Sequence, residues 1–86
     1  MRALGTAPVG FKGWIRAVTA GTGDYELSAA EIERRLIELG FVEGARVEVL
    51  HQGLFGRDPI AVCVNETTVA LRRREADAIL VEPDDG

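Results

Sequence analysis

Ser28-Ala-Ala-Glu-Ile-Glu-Arg-Arg-Leu-Ile-Glu-Leu-Gly-Phe-Val-Glu-Gly-Ala-Arg-Val-Glu-Val49 contains the change of period that decides the fold. Ile32, Leu36 and Leu39 fall at i, i+4 and i+7 and make one apolar stripe on a helix, with Glu33, Arg34 and Glu38 mostly off it. Ser28 and Glu31 have the spacing of a capping box. Gly40 is placed to turn left-handed and stop the helix, with Phe41 packing back on Leu36. The expected helix runs from about Ala29 to Leu39. Past Glu43-Gly44 the period becomes two: Ala45, Val47 and Val49 alternate with Arg46 and Glu48, the mark of a half-buried strand.

On the N-terminal side, Gly13 to Ala20 mixes aromatic, β-branched and polar residues and reads as a first strand, ended by Gly21-Thr22-Gly23-Asp24. On the C-terminal side, Gln52 to Asp58 reads as a loop with two glycines. Pro59 cannot donate to a ladder and suits the start of a strand from Ile60 to Val64. Asn65-Glu66 forms a tight turn into Thr67 to Leu71, since Asn tolerates positive φ. Arg72 to Ala78 is a short helical turn whose charges run basic first and acidic last, against the helix dipole, so tertiary contacts must hold it. Ile79 to Glu82 is a last strand. Together these predict a mostly β chain with one α-helix and a short helical turn. Five short strands bury their edges best by curling into a small five-stranded β-barrel.

Eighty-six residues make one domain, 1–86, with an ordered core expected over about 4–82. Cys63 is the single cysteine, so no internal disulfide forms, and His51 is the single histidine, which leaves a Cys/His zinc site short of ligands. Ten basic against fourteen acidic residues give a net charge of -4, a poor starting point for binding polyanions. The absence of a long apolar run or leader-like segment predicts a soluble, cytosolic protein without direct membrane insertion.

At this point a series of motifs resembles one family. Arg35-Leu36, Leu39-Gly40-Phe41, Gly44 and Val47-x-Val49 resemble its helix exit and second strand. Gly56-x-Asp58-Pro59-Ile60-x-Val62 resembles its central loop and third strand. Val69-Ala70-Leu71-Arg72, Glu75-Ala76 and Ile79-x-Val81 resemble its C-terminal end, and Leu4 with Gly10-x-x-Gly13-x-Ile15 its N-terminal piece. The family is FeoA, and the resemblance spans about Leu4 to Glu82. Glu43 and Asn65-Glu66 depart from the family's commoner turn residues. The resemblance implies an SH3-like barrel, related to the C-terminal domain of DtxR-type repressors. It also implies a non-enzymatic role in bacterial ferrous iron uptake as a partner of FeoB, a membrane transporter with a cytosolic GTP-binding domain. Such a partner would recruit the chain to the inner membrane.

The residues favour binding over catalysis. Cys63 lies in an apolar run, where an inert buried thiol is the usual outcome. His51 follows Val49 on the inward row of its strand, near its end, and fits a structural or surface role. Gly21-Thr22-Gly23 lacks the pattern of a phosphate loop. Asp24, Glu31, Glu33, Glu38 and His51 are scattered and do not compose a metal site, so no metal, cofactor or catalytic residue is assigned. Leu54-Phe55-Gly56-Arg57-Asp58 places two large apolar residues beside an Arg at a loop tip, typical interface anchors; alternatively Phe55 folds under as a plug for the barrel. Arg35 with Leu39-Gly40-Phe41 at the helix exit forms a second candidate docking surface, and Trp14 serves either as core or as a further contact. Two other readings are a self-assembling adaptor, a homo-oligomer through barrel edges, and a nucleic-acid-binding barrel, which the acidic charge opposes.

Overall fold

The computed structural model describes residues 1–19 and 26–84, with the backbone alone at positions 26–30 and 55. In chain order the elements are β1 (Arg2–Ala3), a 3-10 turn (Leu4–Thr6), β2 (Lys12–Val18) and α1 (Glu26–Glu38). Then follow β3 (Arg46–Phe55), β4 (Asp58–Val64), β5 (Thr67–Leu71), α2 (Arg73–Ala76) and β6 (Ile79–Pro83). All pairings are antiparallel, and the strands form one sheet in the order β1-β6-β2-β3-β4-β5.

The five-stranded barrel is corrected in two respects: among the described residues there are six strands, and their sheet is open. The extra strand is the two-residue β1, where Arg2 and Ala3 pair with Val81 and Leu80. Two residues are too few for alternation to register in the sequence. β1 and β5 lie at opposite ends of the strand order, so the sheet curls without closing.

Inward positions of the strands supply the core. Ile15, Val47, Val49, Ile60, Val62, Val64, Leu71, Ile79 and Val81 are all buried, and Leu4 closes it from the 3-10 turn. Each such side chain contributes roughly 1.5–3 kcal/mol through loss of apolar surface to water. The helix stripe is as expected: Leu36 is buried, and Ile32 and Leu39 pack partly buried against the core. The helix begins earlier than expected. With Glu26 already helical, Ser28 lies inside α1 and is not its N-cap. The turn assigned to 21–24 lies outside the described residues.

The helix exit is a full Schellman motif. Phe41 donates its N–H to Leu36 O at 2.9 Å, and Gly40 donates to Ile37 O at 3.0 Å. Gly40 sits at φ +107°, where a side chain is strained, and a Cβ there would meet Asn65 Nδ2 at 3.0 Å. We expect Gly40→Ala to cost about 1–2 kcal/mol. Thermal unfolding should show this as a midpoint lower by roughly 5–15 °C.

The segment 52–58 is not a loop. β3 continues to Phe55, whose backbone pairs with Asp58, and only Gly56 and Arg57 form the turn. Both have positive φ, 66° and 60°, the pattern of a type I′ hairpin turn matched to strand twist. Gly53 was read as loop punctuation, yet a Cβ there would overlap the carbonyl of Asp58. It is a strand glycine required by close approach of the paired backbone. The second hairpin follows the same rule: Asn65 and Glu66 take φ 51° and 67° between paired Val64 and Thr67.

Candidate functional site

The β3–β4 hairpin projects a tip composed of Leu54, Phe55, Gly56, Arg57 and Asp58. A register irregularity separates the Gln52 and Phe55 pairings. The extra residue falls at Gly53-Leu54, and Leu54 is 95% exposed, the most exposed of the large hydrophobic residues described. Phe55's side chain lies outside the described part, so neither the anchor nor the plug expected of it is placed. Gly56 and Arg57 are exposed, and Asp58 is half-buried.

The tip is held from below by α2. Asp58 Oδ1 accepts the backbone N–H of Arg73 at 2.8 Å, satisfying a first-turn donor of that helix. Arg57 O accepts from Arg73 Nε at 2.8 Å. The same guanidinium donates from Nη1 to Gly5 O at 3.1 Å and Ala7 O at 2.9 Å, and from Nη2 to Gln52 Oε1 at 3.1 Å. One planar, permanently charged group thereby fastens the hairpin turn, β3 and the N-terminal 3-10 turn together. These are the tertiary contacts that α2's unfavourable charge order demands. Arg73 was not singled out in the sequence, because Arg72-Arg73-Arg74 followed by Glu75 and Asp77 looks like a solvated charge run. Its partners lie up to 68 residues away in the chain.

The helix-exit surface is arranged differently from the expectation. Phe41 is fully buried, Leu39 is half-buried against the core and Gly40 is half-buried, so the apolar residues assigned to docking there are packing residues. Arg35 is exposed and bridges to Glu75 of α2 at 3.2 Å. Glu75 in turn accepts the backbone N–H of Arg72 through its other oxygen at 2.9 Å. What the helix exit exposes instead is Ile37 and Val42.

Three other residues are placed as follows. His51 is exposed, not inward, because the β3–β4 register shifts between Val49 and His51 and turns the alternation over. Cys63 is half-buried on the outer side of β4, not enclosed as expected, between inward-facing Val62 and Val64. Trp14 is half-exposed on the outer sheet face, its ring 5.2 Å from the guanidinium carbon of Arg46, which also pairs with Asp84.

Among the described residues, no group of three or more His, Cys, Asp or Glu side chains is arranged to hold a metal ion. Asp24 lies outside them. No helix among these residues is long and apolar enough to cross a membrane.

Comparison with known proteins bears on this arrangement. None of the curated protein sequences matches this chain. Solved structures do. FeoA of Stenotrophomonas maltophilia was solved with zinc and is described as a procaryotic SH3 domain protein and a possible ferrous iron transport activating factor. It is 32% identical, with 95% of this chain and 91% of that chain covered and a TM-score of 0.77. The FeoA protein of Chlorobium tepidum is 31% identical, with 100% and 75% covered and a TM-score of 0.72. A manganese-dependent transcriptional repressor is 24% identical, with 95% of this chain but 41% of that chain covered, at a TM-score of 0.74. At that identity the likeness is one of fold, and it matches the relation to repressor domains implied by the sequence motifs. The model of the FeoA domain matches residues 2–83. With that match across nearly its whole length, and an SH3-like relative above 30% identity, this chain belongs to the FeoA family.

Proposed function

We propose that this chain is a non-enzymatic, cytosolic accessory protein of ferrous iron uptake that docks on the cytosolic part of a FeoB-like transporter. The observation that carries the reading is Leu54, 95% exposed on a hairpin whose turn is fastened by Arg73. A large aliphatic side chain offered on a rigid base loses little conformational freedom when it binds. Burying it in a partner's pocket is worth roughly 1.5–3 kcal/mol. Arg57, exposed next to it, orients the contact through its guanidinium while its carbonyl stays bound to Arg73. Family membership supports the pathway, and the description of the Stenotrophomonas relative as a possible transport activating factor supports the role. Docking alters transport to the extent that the tip binds one transporter conformation more tightly than another.

The test is capture of the transporter's cytosolic domain, with and without a non-hydrolysable GTP analogue, by the wild-type chain and by Leu54→Asp. We expect Leu54→Asp to leave the unfolding midpoint within a few degrees, because the side chain touches little of its own fold. Binding should fall by about 10-fold or more. A well-folded Leu54→Asp protein that binds and supports iron uptake as well as wild type would remove the tip from the docking surface.

A further inference from the structure

β5 ends the sheet on the side away from β1, at a surface separate from the hairpin tip. β5 is the last strand of the sheet, paired on one side with β4 through Ile60↔Leu71, Ala61↔Ala70, Val62↔Val69, Cys63↔Thr68 and Val64↔Thr67. Among the described residues no strand lies on its other side. The two-residue turn makes Val64 and Thr67 a hydrogen-bonded pair, and the alternation of an antiparallel ladder extends this to Val62 with Val69. The N–H and C=O groups of Thr68 and Ala70 therefore point away from β4. Thr68 and Ala70 are both exposed. Edges are usually blunted by Lys, Pro, a bulge or extreme shortness. Thr67-Thr68-Val69-Ala70-Leu71 has none of the first three, and its register with β4 is unbroken.

The charges that flank this edge identify what covers it. Glu66 stands immediately before β5 and Arg72 immediately after, both exposed. An antiparallel pairing of the strand with itself about a two-fold axis at Val69 sets Thr68 opposite Ala70 of the second copy. The same register sets Glu66 opposite Arg72 of the second copy, twice by symmetry. We propose that two copies of this chain associate through β5, forming a continuous two-fold sheet closed by two Glu66–Arg72 pairs. Thr68 and Ala70 exchange their backbone hydrogen bonds with their counterparts, and Val69 meets Val69. The strand itself is uncharged, so no like charges oppose each other in this register. One five-residue strand pair makes an interface below the about 1,200 Å² of stable complexes. The association is accordingly weak and concentration-dependent.

Sedimentation equilibrium of the full chain from roughly 10 µM to roughly 1 mM, a range that brackets small interfaces, reads it directly. The expected result is a reversible monomer–dimer equilibrium weakened by added salt. Ala70→Pro removes only an N–H that faces the free edge and leaves the β4 ladder intact, so it should raise the dimer dissociation constant about 10-fold or more. Glu66→Arg and Arg72→Glu should each weaken the dimer, and the double variant should restore it to within about 2-fold of wild type. The charge reversals keep a non-glycine at the positive-φ site and place an acid at the start of α2, where the dipole favours one, so they test the pairing even where Ala70→Pro disturbs folding. A wild-type chain that stays monomeric throughout, a folded Ala70→Pro variant that dimerises as well as wild type, or a charge swap without rescue would each overturn the proposal.

Discussion

Phe41→Ala should destabilise the protein by about 3–5 kcal/mol, the largest single effect the packing predicts. Phe41 is the bulkiest fully buried side chain among the described residues, and it anchors the helix exit against the sheet. Its backbone N–H closes the Schellman motif on Leu36, which is itself 1% exposed. Truncation removes the ring's transfer energy and leaves a void under the end of α1 that the surrounding strands cannot fill without moving. A domain of this length holds a total of about 4–13 kcal/mol, so the loss is a large fraction of it, and at the low end of that range the variant should be close to half unfolded. Urea denaturation would show the midpoint fall with an unchanged slope. A loss below about 1 kcal/mol would mean that Phe41 is not the packing residue described and would reopen its role as a surface contact.

Arg73→Ala should cost about 2–4 kcal/mol, although the residue stands in a run of three arginines and is only half-buried. Its guanidinium supplies hydrogen bonds to Gly5 O, Ala7 O, Arg57 O and Gln52 Oε1. Hydrogen bonds from a charged group contribute roughly 1.5–3 kcal/mol each in isolation, but a shared donor and access of water to the outer acceptors make the total much less than their sum. Gly5 and Ala7 are both buried, so their carbonyls are the acceptors least able to find water. Arg73→Lys keeps the charge while losing the planar fork, and should recover less than half of the loss. Hydrogen exchange adds a signature that general destabilisation would not produce: protection should fall first at the Ala7 N–H, which is bonded to Leu4 O at 3.0 Å. By contrast, Arg72→Ala, with its side chain exposed, should shift the midpoint by only a few degrees.

The contrast between these residues explains what the sequence could disclose. Phe41 was legible because its partners are local: the Leu36–Phe41 spacing and Gly40 at the left-handed position are a short-range pattern with one physical solution. The same holds for the alternation through Val47 and Val49, and for the Asn65-Glu66 turn. Gly53 was misread because glycine in a polar-looking segment marks a loop, a bulge or a close approach equally well. Gly-Arg is also not among the dipeptides that announce a two-residue turn. His51 was assigned inward because strict alternation carries no signal for the β-bulge that turns it outward. Ser28 and Glu31 have capping-box spacing inside a helix, which spacing alone cannot exclude. Arg73 and β1 were invisible for a different reason. Both act only through residues far away in the chain, and neither produces a local period.

For the proposed docking surface, the sequence named the Leu54-to-Asp58 segment from composition, while the structure supplies the hairpin geometry and Leu54's exposure. Asp58, named among the docking residues, has a structural task in accepting the Arg73 N–H. Its replacement would therefore confuse loss of fold with loss of binding. Leu54 and Arg57 are the cleaner probes, since substituting their side chains leaves the Arg73 contacts in place.

The central claim, docking of the hairpin tip on a FeoB-like transporter, is tested most directly by NMR titration of the labelled chain with the transporter's cytosolic domain. The largest amide shifts should cluster at Gly53 to Asp58, fade toward the far ends of β3 and β4, and disappear with Leu54→Asp. Saturable shifts confined to another face, with the hairpin tip unmoved, would contradict it.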